Sequence, residues 1–224
     1  GVLNHYIRGL AGRSLRIESS DEVFTDTEVL FLPALLNRYG DKQNNFTLYK
    51  LMTTYLWAQT RFGTFRKQTQ DDPPLSARLA EYSEPQRALS LFFALESIRL
   101  EACIKRELPG LWRQMNTLLE ITSDKPAAIE WQNALSELRE PTSTIETTLE
   151  QLKLIYPQSV TAPAPQPWHG TLQLELAEQV LATRMEQDRE ELKVRLNRLL
   201  EDDQTLDDSE IRQIELVTPE NTAG

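Results

Sequence analysis

The apolar positions that follow Asn45 recur at the spacing of a buried helix. Side chains three, four or seven residues apart fall on one face of a helix. Asn44 and Asn45 are candidate N-caps, and Gly63 is suited to end the helix. The pattern therefore predicts a core helix over residues 44–62, whose side chains pack against other elements. Its apolar positions are Phe46, Tyr49, Met52, Leu56 and Phe62.

A second apolar pattern predicts a helix over residues 84–107. Ser83 and Gln86 have the spacing of a capping box, and Pro85 falls in the first turn, where proline is tolerated. Pro109 ends the pattern. Because apolar residues recur around most of this helix, we expect it to be buried over most of its girth.

The N-terminal part of the chain contains two short runs that favour β-strands, residues 14–17 and 29–32. A long polar stretch separates them, which predicts a hairpin with a long loop. With the helical patterns, these runs predict a mainly α protein with a small β element near the N-terminus. Further short helices are predicted at residues 3–10, 111–120, 127–139 and 143–156.

The domain organisation is predicted from a stretch that alternates proline with small residues. We interpret residues 161–168 as a Pro-rich connector, since such sequences are stiff and extended. It follows a helical core domain with a short β hairpin, residues 1–160, and precedes a long helical segment, residues 169–204. Residues 205–224 are predicted to be an acidic connector, with a candidate final strand at residues 211–217.

The long helical segment carries a narrow apolar stripe flanked by Glu, Lys and Arg. A helix of this kind packs on a partner through one seam, while its charged face is solvated. We therefore interpret Leu192, Leu196 and Leu199 as candidates for partner-facing residues.

The formal net charge is −10, from 34 acidic and 24 basic residues. Binding to a phosphate backbone needs clustered Lys and Arg, so this balance disfavours a nucleic-acid partner. Cys103 is the only cysteine and lies in an apolar pattern, which predicts a buried thiol in a reducing cytoplasm. No apolar run approaches the about 20 residues of a membrane span. Because the sequence begins with Gly1 rather than Met, we expect a longer parent protein.

Sequence motifs for chemistry are missing. His5 and His169 are the only histidines and lie far apart, so the sequence has no His-x-x-x-His pair and no Cys-His zinc set. It also lacks a phosphate loop, a dinucleotide fingerprint and a serine-hydrolase elbow. We therefore expect no catalytic residue, metal or cofactor in this chain. His169, which precedes Gly170, is interpreted as a turn residue.

Three charged residues interrupt the apolar pattern of residues 84–107: Glu96, Arg99 and Glu101. Glu96 and Arg99 are three residues apart, share a helix face and can pair. An isolated charge in a core costs several kcal/mol, so a buried ion pair that fixes helix packing is the favoured interpretation. The alternative is a carboxylate pair for acid–base or metal chemistry, although a hard-metal site would need more oxygen ligands than this helix offers.

Three segments of the chain resemble one known family, in order along the sequence. They are residues 31–65, residues 91–115 and residues 167–181, which reads PWHGTLQLELAEQVL. They resemble the region upstream of the von Willebrand factor A domain in the NorD/CbbO family, and the resemblance covers roughly residues 6–200. It rests on spacing and hydrophobic character, since none of these segments contains a catalytic motif.

The resemblance implies a non-catalytic adaptor that works with a hexameric MoxR-type AAA+ ATPase. In the CbbO branch the client is Rubisco, which is freed of inhibitory sugar phosphates. In the NorD branch, the alternative, it is nitric oxide reductase. ATP and Mg would lie on the ATPase, and a divalent cation would lie in the A domain, which this sequence lacks. The CbbO-type Rubisco activase is favoured, on the segment at residues 167–181 and on the acidic character of the chain.

A more distant likeness is to zinc peptidases, in which a helix bearing His-Glu-x-x-His is followed by a helix that supplies a glutamate. Tyr55, Leu56 and Gln59 stand at the His, Glu and His positions, and Glu96 matches the later glutamate. The likeness implies a degenerate zincin-like helical core. A metallopeptidase-like hydrolase is the disfavoured alternative, because the metal ligands are missing.

Overall fold

A computed structural model of the protein describes residues 2–11, 15–69, 71–122 and 132–215. Helices make up 61% of the chain and strands 6%, which confirms the predicted class of a mainly α protein with a small sheet near the N-terminus. The chain divides into two compact units, Gly1–Val180 and Leu181–Gly224. Among the described residues, no helix is both long and apolar enough to cross a membrane.

The elements follow one another with short connections in most of the described chain. The helices are α1 (Val2–Ala11), α2 (Lys42–Arg61), α3 (Leu75–Ala80), α4 (Pro85–Glu107), α5 (Pro109–Thr122), α6 (Gln132–Leu138), α7 (Ile145–Ile155) and α8 (Leu174–Glu215). The strands are β1 (Arg16–Ser19), β2 (Phe24–Thr25) and β3 (Val29–Leu32). The predicted helix at residues 127–139 is observed as α6, and residues 123–131 lie outside the described part of the chain.

The sheet has the strand order β1-β3-β2, which differs from the predicted pairing. The two predicted strands, now β1 and β3, are parallel, whereas the antiparallel hairpin is formed by β2 and β3. The turn of this hairpin is held by Asp26, whose Oδ1 accepts bonds from the amides of Glu28 (2.9 Å) and Val29 (2.7 Å). Thr27 takes the left-handed conformation there, with φ 85°. The carboxylate of Asp26 therefore sets the turn by binding the backbone amides that follow it. The β-propensity of the strands does not indicate this turn.

Helix α2 lies at the centre of the core, as its apolar pattern predicted, except that Phe46 in its first turns is 37% exposed. It packs against α1, α4, α5 and β3, and residues 51–59 are all buried. The helix begins at Lys42, because the N-cap is Asp41, whose carboxylate accepts a bond from the amide of Asn44 (2.7 Å). Asn45 does not cap it. Its side chain instead bonds the backbone of Tyr39 in the preceding loop, through Oδ1 (2.9 Å) and Nδ2 (2.7 Å).

Helix α4 runs over nearly the predicted residues, but the predicted capping box does not form. The N-cap is Glu84, and it makes no side-chain cap. Ser83 bonds the hydroxyl of Tyr156 (2.9 Å), which also accepts the amide of Glu84 (2.9 Å). A tertiary contact with the end of α7 therefore replaces the local cap at Ser83.

The Pro-rich connector at residues 161–168 does not separate two units. Trp168, at its end, has no exposed surface, and Leu174 and Ala177 in the first turns of α8 are buried. Ser76 of α3 also donates two bonds, from its amide and its hydroxyl, to the carboxylate of Glu178. The first unit therefore extends to Val180, because Trp168 at the end of the connector and Leu174 and Ala177 after it are buried in the core.

The predicted acidic connector and final strand are also corrected. Helix α8 continues through residues 205–215, where a flexible stretch and the start of a strand were predicted. Residues 201–210 contain neither proline nor glycine, so nothing in the sequence ends the helix there. Residues 216 and 217 of the predicted strand lie outside the described residues.

We expect Gly170→Ala to destabilise the fold strongly. Gly170 has φ 67°, and a Cβ there would lie 2.1 Å from the carbonyl oxygen of Val23. Because that oxygen accepts the amide of Thr171 (2.8 Å), the backbone cannot move away without losing this bond. The strain alone costs about 1–3 kcal/mol, and the overlap adds to it. Urea unfolding measures the loss of free energy of unfolding.

Gly9→Ala is the matched control for this change. Gly9 lies in α1, and a Cβ added at this position would meet no other atom within 4 Å. Alanine in place of glycine in a helix is expected to be neutral or to stabilise by up to about 1 kcal/mol. Equal effects of the two substitutions would contradict the role assigned to Gly170.

Candidate functional site

A group of buried polar residues lies where α2 faces α4. Tyr55 of α2 has no exposed surface, and its hydroxyl is 2.6 Å from the Oγ of Ser97 on α4. The ring of Tyr55 stacks on that of His169, with a centroid distance of 4.6 Å. These contacts join two helices and the segment after the Pro-rich connector around one phenol.

The predicted pair of Glu96 and Arg99 is present and buried. Each side chain is 1% exposed. Arg99 Nε donates to Glu96 Oε2 (2.8 Å), and Arg99 Nη2 donates to Glu96 Oε1 (2.5 Å), so the pair is bidentate. Two parallel bonds of this kind are stronger and more directional than one. The structure therefore supports the structural interpretation of these two residues.

Further bonds fix the pair to three parts of the fold. Glu96 also accepts bonds from the hydroxyls of Thr64 (2.5 Å), after α2, and Thr148 (2.7 Å), on α7. Arg99 donates to the carbonyl oxygen of Phe62 (3.1 Å), the C-cap of α2. The pair thus connects α4 to the end of α2 and to α7. Both carboxylate oxygens of Glu96 are engaged by protein donors.

The charge state of the guanidinium follows from two opposed effects. Burial lowers the pKa of Arg99, but the charge and hydrogen bonds of Glu96 outweigh burial and hold this pKa above its ordinary value. Arg99 therefore stays protonated in the folded protein.

Glu101 does not join Glu96 and Arg99, contrary to the grouping by sequence. Its Oε1 lies 2.8 Å from Nε2 of His169 and accepts a bond from Nε1 of Trp168 (3.3 Å). Five positions after Glu96 a helix presents a different face, which here is the face toward the segment at residues 166–170. We name these three residues, Glu101, Trp168 and His169, the Glu101 latch.

His169 uses both ring nitrogens in this latch. Nδ1 accepts the amide of Gln166 (3.1 Å), which assigns the proton of the neutral ring to Nε2, where it is donated to Glu101. The predicted turn at His169 is present, and the side chain is buried, with 6% of its surface exposed. Sequence reasoning missed the latch. The signal that points to it is the triplet Trp168-His169-Gly170, in which two amphipathic rings precede a turn glycine.

The residues that stand at the metal-ligand positions of the zinc peptidases lie on α2 and α4. Tyr55 and Gln59 are buried on α2, and α2 packs on α4, which carries Glu96. Within the described residues, no group of three or more His, Cys, Asp and Glu side chains lies close enough to hold a metal ion. The carboxylate at the position of the family glutamate binds a guanidinium instead.

Two further groups that could act as nucleophiles or bases are held protonated. Burial raises the pKa of Tyr55 well above its ordinary value, and the charges of Glu101 and Glu96 raise it further against the bond from Ser97. Burial also raises the pKa of Cys103, which is 5% exposed as predicted. A phenol and a thiol in these states are poor nucleophiles at neutral pH.

Gln59 is a buried polar residue of this region whose hydrogen-bonding groups are left unsatisfied. It is 1% exposed, and neither its Oε1 nor its Nε2 has a well-formed hydrogen bond to any of the described residues. A buried amide without partners costs about 1–3 kcal/mol. Gln59 lies close to the Tyr55 hydroxyl.

The predicted partner-facing residues lie on α8 in the second unit. Leu192, Leu196 and Leu199 are 58%, 50% and 65% exposed. Their spacings of four and three residues place them on one face. Ion pairs three or four residues apart flank that face: Arg189–Glu186, Lys193–Glu190 and Arg195–Glu191.

No protein-family model, curated protein or solved structure matches the chain. The resemblance to the NorD/CbbO family therefore remains a prediction from the sequence.

We expect Glu96→Gln to destabilise the fold by about 3–5 kcal/mol, because it leaves the buried charge of Arg99 without its counter-charge. Urea unfolding, with circular dichroism as the signal, measures the change. Glu18→Gln is the matched control. Glu18 is half exposed, and its ion pair with Arg16 is long, at 3.9 Å, so loss of this charge is expected to change the free energy of unfolding by less than about 0.5 kcal/mol.

The double variant Glu96→Leu with Arg99→Met separates charge from shape. Apolar residues of similar volume can replace a buried ion pair at little cost, so the double variant should be more stable than Glu96→Gln. A double variant that is less stable than Glu96→Gln would show that the bonds to Thr64 and Thr148, rather than the uncompensated charge, dominate.

Proposed function

We propose that this chain is a non-catalytic adaptor region that docks on a hexameric MoxR-type AAA+ ATPase in the cytoplasm. The observation that carries the proposal is the exposed apolar face of α8, Leu192, Leu196 and Leu199. Met185, seven residues before Leu192, is 54% exposed and continues that face. Half-exposed apolar side chains at helical spacing suit a groove on another protein.

The core supports an adaptor in a second way. The buried pair of Arg99 and Glu96 connects α4 to α2 and α7, and the partly buried Glu101 connects α4 to the segment that leads into α8. These bonds give a rigid base for the start of α8, where Leu174 and Ala177 are buried. A rigid base lowers the entropy cost of presenting a docking helix.

The client is proposed from the resemblance of the sequence to the CbbO branch. The parent protein would take part in the ATP-dependent remodelling of inhibited Rubisco. Nitric oxide reductase maturation, as in the NorD branch, is the second candidate. The segment at residues 167–181 supports the first, and it contains Trp168 and His169 of the Glu101 latch.

We expect the triple variant Leu192→Ser, Leu196→Ser and Leu199→Ser to lose binding to the cognate ATPase ring by tenfold or more. Each side chain that loses its buried apolar contact in the complex weakens binding by about 1 kcal/mol or more. Biolayer interferometry with the assembled ring measures the affinity. Leu154→Ser is the matched control, because Leu154 is 64% exposed on α7 of the first unit and does not belong to the proposed face. Equal affinities of the triple variant and wild type would contradict the docking face.

We expect the full-length parent, with its ATPase and ATP, to restore carboxylation by inhibited Rubisco. The triple variant in the same parent should reduce the rate of recovery, while the Leu154→Ser parent should not. If the parent and its ATPase promote maturation of nitric oxide reductase but do not restore carboxylation by Rubisco, the second candidate function is supported instead. Full recovery by a parent without residues 1–224 would show that this region is dispensable.

A further inference from the structure

A cleft of about 240 Å³ lies on the first unit, between the end of α2, α4 and the start of α7. It shares no residue with the proposed docking face or with the Glu101 latch. Its walls include three arginines, one from α2 and two from α4, and two hydroxyl residues before α7. They are Arg61, Arg99 and Arg106, with Ser143 and Thr144.

The three arginines differ in how their charges are balanced. Arg99 is buried and neutralised by Glu96, and its bonds are made by Nε and Nη2. Arg106 is exposed, and its bonds go to neutral acceptors, the carbonyl oxygen of Arg139 (2.9 Å) and the sulfur of Cys103 (3.2 Å). Arg61 is exposed and lies over the ring of Phe62 (5.8 Å). Neither exposed arginine belongs to an ion pair of the described residues.

Glu107 and the N-terminus of α7 also contribute to the charge of the cleft. Glu107 is the acidic residue that lines the cleft, and it offsets one of the two exposed arginines. Thr144 is the N-cap of α7, so the positive end of that helix lies at the same place. With the pair Arg99–Glu96 counted as neutral, the walls keep a net positive charge in a chain whose formal charge is −10.

We propose that this cleft is a binding site for a phosphate group, free or as a small phosphate monoester. Guanidinium groups bind phosphate through paired N–H donors, and a helix N-terminus adds a favourable field. Guanidinium groups of α2 and α4 line the cleft beside the start of α7, and a phosphate, with more charge and more acceptor oxygens than a carboxylate, gains more from them. The volume is below that of pockets for drug-sized ligands, which limits the ligand to a small molecule.

The test is a titration of the isotope-labelled chain with inorganic phosphate at low ionic strength, followed by amide NMR shifts. Saturable shifts are expected at Arg106, Ser143 and Thr144. Arg61→Gln and Arg106→Gln should each weaken binding by about tenfold, as the loss of one charged hydrogen-bond donor implies. Glu107→Gln should strengthen binding, because it removes the negative wall charge.

Arg113→Gln is the matched control, since Arg113 is exposed on α5 and does not line the cleft. It removes the same formal charge and should leave the affinity unchanged. Both arginines replaced in the cleft are exposed, and circular dichroism verifies the fold of each variant.

Two further probes define the ligand class. Methyl phosphate should compete with inorganic phosphate for the same shifts, and acetate should bind at least tenfold more weakly. Any of three results would overturn the proposal: no saturable shift near the cleft, an equal loss of affinity in Arg113→Gln, or equal affinity for acetate.

Discussion

The ion pair between Glu96 and Arg99 is the constraint on which the first unit depends. Burying two charges costs several kcal/mol each unless the remaining lone pairs and protons are satisfied. Thr64, Thr148 and the carbonyl oxygen of Phe62 supply those bonds, and they come from different elements. The end of α2 and the face of α7 therefore have to lie where these groups reach α4. Apolar contacts have no fixed direction, whereas these hydrogen bonds do, so the pair restricts where α2 and α7 lie on α4.

The Glu101 latch ties a second segment to α4 on a different face of the helix. The segment at residues 166–170 has no regular secondary structure, so its place is set by Trp168 and by the two ring nitrogens of His169. An indole buried with its N–H on a carboxylate gains apolar area without leaving a polar atom unpaired. Gly170 then turns the chain close to Val23. As a result, a proline-rich stretch that resembles a linker ends in the core, and α8 starts from a fixed point.

The fold class and the positions of α2 and α4 could be predicted from the sequence because they depend on apolar periodicity, which is local. The pairing of Glu96 with Arg99 could be predicted for the same reason, since both lie on one helix. The Glu101 latch could not, because Glu101 and His169 are 68 positions apart. The parallel pairing of β1 with β3 likewise depends on contacts across the chain. The capping box at Ser83 failed because a distant tyrosine, Tyr156, offered a competing partner.

The two units place their apolar residues differently, and this contrast bears on function. In the first unit, most large apolar side chains of α2 and α4 are buried, and the buried charges of Glu96 and Arg99 are paired. In α8 beyond Val180, Leu192, Leu196 and Leu199 are half exposed or more, while charged neighbours pair with each other along the helix. Pairs three or four residues apart stabilise a helix without covering its apolar side. A helix stabilised in this way keeps an apolar face available for a protein partner, which the core of the first unit does not offer.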